Sequence, residues 1–87
     1  MLLESFYRST FGFVSAGVEE TDLDAVMAFF REPDDRIYVT AVVVTETTVE
    51  VHRSYRASGI LAERNVLLFE SEEEAYAAGE CLRGLVG

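Results

Sequence analysis

The only local concentration of chemically capable side chains is His52-Arg53-Ser54-Tyr55-Arg56. Two guanidinium groups beside a phenol, with Arg36 nearby across a hairpin, suit recognition of an anion or a small ligand. Arg53, Tyr55 and Arg56 are therefore the candidate ligand-binding residues. The competing reading is an ordinary solvated strand face, since alternation sends strand neighbours to opposite sides. His52 is the sole histidine. As a general base it needs an orienting carboxylate, and Glu50, two residues back on the same face, is the nearest; a structural or surface role is expected. Cys81 is the sole cysteine. No base is fixed beside it by spacing, so a buried, inert thiol is expected. One cysteine excludes an internal disulfide, and one histidine argues against a zinc site. Gly12 and Gly17 build no phosphate loop, because the GxGxxG and GK[ST] patterns are absent. Neither a metal nor a cofactor is expected, and no enzyme activity.

A second set of candidates is acidic: Glu19 and Glu20, Asp34 and Asp35, and Glu72, Glu73 and Glu74. Such groups can imitate a row of phosphates. The plainer reading of Glu72–Glu74 is a helix start that also confers solubility. Sixteen acids against seven bases give a net charge of −9, and all seven bases are arginine. Lysine is absent while alanine, valine and glutamate are abundant, which suggests a GC-rich genome, cellular or viral. Residues 1–35 carry eight acids and two bases, residues 36–56 two and three, and residues 57–87 six and two. Direct nucleic-acid binding is not expected, because contact with phosphates needs a basic footprint. Long-range steering favours a protein partner with a basic surface instead. The longest apolar run is too short for a bilayer and no basic-then-apolar leader is present, so the expected place of action is the cytoplasm, that of a host cell if the protein is viral.

The elements that must position these groups centre on residues 36–56. Ile37–Val44 and Thr47–Tyr55 are rich in β-branched and aromatic residues and read as an antiparallel hairpin. Thr45-Glu46 is a weak turn signal, so the register must come from the faces. The most continuous apolar face pairs Val43 with Val49, Ala41 with Val51, Val39 with Arg53 and Ile37 with Tyr55. The first strand is half apolar on its other side too, as a central strand or one covered by a partner chain would be. Residues 21–32 read as a helix, capped by Thr21, with Leu23, Val26, Met27 and Phe30 on one face and Phe29 broadening it. Residues 2–10 suit a short helix or strand, and residues 11–18 an extended piece. Ala57–Glu63 reads as a connection, with Ile60 and Leu61 tucked under or meeting a partner, and Asn65–Phe69 as a third strand. Ser71 with Glu74 marks a capping box that opens a helix with a stripe of Ala75, Ala78, Gly79, Leu82 and Leu85.

At 87 residues and 49% hydrophobic, the chain is expected to form one compact domain over residues 1–87. The expected fold class is α+β: an antiparallel sheet of three to four strands with helices packed on one face. A half-apolar second sheet face makes a homodimer a further expectation. In size, acidity and the order helix, three strands, helix, the chain resembles small phage-encoded inhibitors of host defence, including anti-CRISPR proteins. Those inhibitors share no single fold or motif, so the resemblance carries no residue over. It implies a non-enzymatic inhibitor that occupies a basic, nucleic-acid-binding surface of a partner. The alternative is a small homodimeric ligand- or anion-binding protein.

Overall fold

A computed structural model describes residues 1–87. Five strands form one antiparallel sheet: β1 (Leu2–Ser9), β2 (Gly12–Glu20), β3 (Ile37–Thr45), β4 (Thr48–Tyr55) and β5 (Leu61–Leu68). Their order across the sheet is β2-β1-β5-β4-β3. Two helices, α1 (Leu23–Arg31) and α2 (Glu72–Arg83), pack on the same face. The class is thus α+β, and the sheet has five strands rather than three or four. The extra strands come from residues 1–20, which form a hairpin. Leu2, Leu3, Phe6 and Tyr7, although spaced as on a helix, alternate between the two faces of β1. Extended pairing against both β2 and β5 outweighs the local helical pattern.

The central hairpin is present with a mixed register. Val39 pairs with Arg53 and Ile37 with Tyr55, as the apolar faces require. A bulge at Thr40 then shifts the rest by one residue, so Val42 pairs with Val51 and Val44 with Val49. Thr40 Oγ1 donates to the His52 carbonyl at 3.3 Å and lies 3.1 Å from Ser54 Oγ, bonding across the interrupted ladder. The bulge sets both Val42 and Val44 on the helix side, where each packs against the core. The tight turn left at Glu46-Thr47 holds Glu46 at φ +49°, in the left-handed region. β3 lies at the sheet edge; it is β5 that lies at the centre.

β5 begins at Leu61, so the last three residues of the expected connection are strand. Ile60 precedes it and is exposed rather than tucked under. Glu63 and Arg64 sit in the middle of the sheet because each finds a partner of opposite charge on β4. In α1, Asp22 rather than Thr21 is the cap: its carboxylate accepts the Ala25 N–H at 2.8 Å. Val26 and Phe30 are buried, while Phe29 is half exposed. In α2 the Glu74 N–H donates to Ser71 Oγ at 3.2 Å, and Ala75, Ala78, Gly79 and Leu82 are buried. This small-residue stripe lets the helix lie close to β3 and β4. A Cβ on Gly79 would overlap Val44 Cγ2. Val49, Val51, Leu67 and Leu82 are the fully buried centre of the core.

Candidate functional site

Three places in the fold gather chemically capable groups: the interior beneath α1, the uncovered sheet face, and one end of the molecule. The first contains Arg53. Alternation along β4 turns it inward with Val49 and Val51, and it is only 8% exposed. Its Nε donates to Glu63 Oε1 on β5. The Glu63 carboxylate also accepts from Asn65 Nδ2 at 3.0 Å, and Asn65 Oδ1 accepts from Ser5 Oγ at 2.8 Å. The Arg53 guanidinium lies 5.2 Å from the ring centres of both Phe29 and Phe30. These contacts satisfy a charge that would be costly to bury alone. The solvated strand face expected here does not exist at Arg53; the residue is part of a buried polar chain.

Arg53 also reaches a cavity of about 250 Å³ whose wall includes Arg31, Asp34, Tyr38 and Arg56. Arg56 stacks over Tyr38 at 4.9 Å, and its Nε donates to the Asp34 carbonyl at 3.3 Å. The Asp34 carboxylate accepts the Arg36 and Ile37 N–H groups at 2.8 and 3.2 Å. Those two bonds hold its carboxyl below the ordinary aspartate value of 3.8. Arg53 and Arg56 thus share one cavity wall, while Tyr55 does not line it. Arg53 has an internal partner in Glu63, and Arg56 one in the Asp34 carbonyl.

The second place is the sheet face opposite the helices. Leu2, Glu4, Phe6 and Arg8 of β1 face this way, level with Leu68, Val66 and Arg64 of β5 and Thr48, Glu50 and His52 of β4. Arg64 donates to Glu50 Oε1 through Nε at 2.9 Å and Nη2 at 2.6 Å, and lies over the rings of Phe6 and Phe13. His52 Nε2 lies 3.7 Å from Glu50 Oε1, so Glu50 is the neighbour of the histidine as the spacing suggested. Beyond 3.5 Å this is not a hydrogen bond, and His52 Nε2 is buried without a partner.

The third place follows from the topology. β2 ends, α1 begins, the β3–β4 turn falls, β5 ends and α2 begins at the same end of the sheet. Glu19, Glu20, Asp22, Asp24, Glu46, Glu70, Glu72, Glu73 and Glu74 are therefore gathered there. Glu20, Glu70 and Glu74 border one concavity with Met1 and Phe69, and Glu46, Glu72 and Glu73 border its neighbour with Val44 and Tyr76. Both helix N-termini point to this end, and their partial positive charge favours the carboxylates in the first turns. None of the seven arginines is there. The one cation is the Met1 amino group, 2.8 Å from Glu20 Oε1.

Of the acidic candidates, the fold brings Glu19 and Glu20 to the same end as Glu72, Glu73 and Glu74. Asp34 and Asp35 are elsewhere, at the start of β3 and the length of a nine-residue strand away, about 27 Å. Asp22, Asp24, Glu46 and Glu70 belong to the cluster but escaped the sequence reading because no two are adjacent. Their common location depends on strand direction alone. Cys81 is exposed instead of buried, on the flank of the α2 stripe. No group of three or more His, Cys, Asp or Glu side chains is placed to hold a metal ion, and no helix is long and apolar enough to cross a membrane. In comparison with known proteins, no family model, no curated protein and no solved structure matches this chain.

Proposed function

We propose that the protein is a non-enzymatic interaction protein whose acidic end occupies a basic, nucleic-acid-binding surface of a protein partner and so inhibits it. The observation that supports this reading is the gathering of nine carboxylates, from three stretches of the chain, at an end without arginine. Helix capping accounts for Asp22, Asp24 and Glu72–Glu74 but not for Glu19, Glu20, Glu46 or Glu70. Closely spaced carboxylates present a potential that steers basic surfaces toward them and weakens with salt. Asp34 and Asp35 take no part in this site.

The test is affinity capture from nuclease-treated lysate, with washes at low and high salt, followed by binding kinetics on the recovered partner. A nucleic-acid-binding protein that is released by salt and displaced by its own nucleic acid is the expected result. Replacing Glu72, Glu73 and Glu74 together by glutamine keeps the helix start and should slow association by about tenfold or more. Asp35→Asn should leave association unchanged. Capture insensitive both to salt and to the triple replacement would refute the reading.

A further inference from the structure

We propose that the uncovered sheet face is the interface of a homodimer in which two sheets stack face to face with their strands antiparallel. The inference is independent of the acidic-end reading.

The face leaves apolar side chains open to solvent: Val18 is 57% exposed, Val43 42%, Leu2 41% and Leu68 40%. β3 carries apolar residues on both sides although it is an edge strand, and only its helix side is covered within the chain. A chain of charge −9 is a poor partner for itself over most of its surface. On this face the charges balance. Glu4, Glu20 and Glu50 are matched by Arg8, Arg64 and the Met1 amino group, which pairs with Glu20.

The order of these charges selects the orientation. Leu2, Glu20 and Leu68 form the first row at the acidic end; Glu4 and Glu50 lie in the next, Arg64 in the one beyond, and Arg8 farthest away. Stacking with strands parallel would lay like charges over one another. A twofold axis across the strands reverses the rows. It lays Arg64 of one copy over the Glu4–Glu50 row of the other, and Arg8 over the Leu2–Glu20 row. Both contacts then occur twice, as a twofold interface requires. It also separates the two acidic ends, leaving the helix-side carboxylates free.

The size is sufficient. Five strands about 4.8 Å apart and eight residues at about 3.3 Å cover about 24 by 26 Å. Two such faces bury roughly 1,200 Å², the lower bound for a specific interface. Stacked sheets also exclude water from the Glu50–Arg64 pair and His52.

The test is the mass in solution by light scattering, from about 1 µM to about 1 mM. A species of twice 9.7 kDa is expected at the upper concentrations. Val43→Asp and Leu68→Asp alter side chains that are about 40% exposed in the single copy, so each should keep its circular dichroism spectrum and become monomeric. Glu20→Arg and Arg8→Glu should each weaken self-association by about tenfold, and mixing the two should restore a dimer, because the heterodimer regains both opposite-charge contacts. A chain that stays at 9.7 kDa throughout overturns the proposal. So does a dimer untouched by Val43→Asp and Leu68→Asp, or a mixture that recovers nothing.

Discussion

Glu63→Ala tests the account of the interior beneath α1 most directly. Glu63 is 4% exposed and accepts both Arg53 Nε and Asn65 Nδ2. Its removal leaves a guanidinium buried between β4 and the Phe29 and Phe30 rings without its carboxylate. Breaking a buried pair in this way costs about 3–5 kcal/mol. Arg53 borders the 250 Å³ cavity near Asp34, which offers partial relief, so the lower part of that range applies, about 3 kcal/mol. For 87 residues the whole stability is about 4–13 kcal/mol, so the loss is a large fraction of it. In urea the midpoint should fall by about 2 M or more. The double replacement Arg53→Met with Glu63→Leu removes both charges at similar volume and should come back to within about 1 kcal/mol of the wild type. A Glu63→Ala protein within about 1 kcal/mol of wild type, or a double variant as unstable as the single, would refute the argument.

Three further outcomes follow from the packing and the turns. Gly79→Ala gains about 1 kcal/mol of helix propensity but drives a methyl group into Val44 Cγ2; overpacking costs about 1–3 kcal/mol, so a net loss is expected, and it should shrink in the Val44→Ala background by denaturation. Glu46→Gly should raise stability by about 0.5–1 kcal/mol in the same assay, since a side chain at φ +49° is strained where glycine is not. The Asp34 carboxyl is held low by the Arg36 and Ile37 N–H groups, so its contribution is full above 3.8 and fades as pH falls through the lower folded value. Carbon-detected titration should give an Asp34 midpoint below 3.8, and Asp34→Asn should flatten the acid limb of the stability curve. A midpoint at or above 3.8 contradicts the assignment.

The sequence by itself determined the elements whose signals are local. Ser71 and the small-residue stripe define α2, the Leu23–Phe30 spacing defines α1, and the β-branched runs define β3 and β4. It could not place residues 1–20 as a hairpin, because apolar side chains at helical spacing also fit a strand buried in part on both faces. Glu63 and Arg64 hid the first half of β5 for a related reason. Charges look like loop until the cross-strand partners Arg53 and Glu50 are known. The register shift at Thr40 depends on side-chain hydrogen bonds across the ladder, which no face count reveals.

For the candidate sites, the number of charges was legible and their geometry was not. Net charge and the adjacent acids are properties of the chain. The polarity of the molecule comes from strand direction: antiparallel pairing brings the end of β2, the β3–β4 turn and the end of β5 to one end of the sheet, and both helices set out from there. Likewise Arg53 could be singled out by type, but only the pairing of β4 with β5 decided that its Nε bonds an internal carboxylate. Sequence supplies which charges and apolar side chains exist; the sheet decides which of them meet, because contacts between strands join residues far apart along the chain.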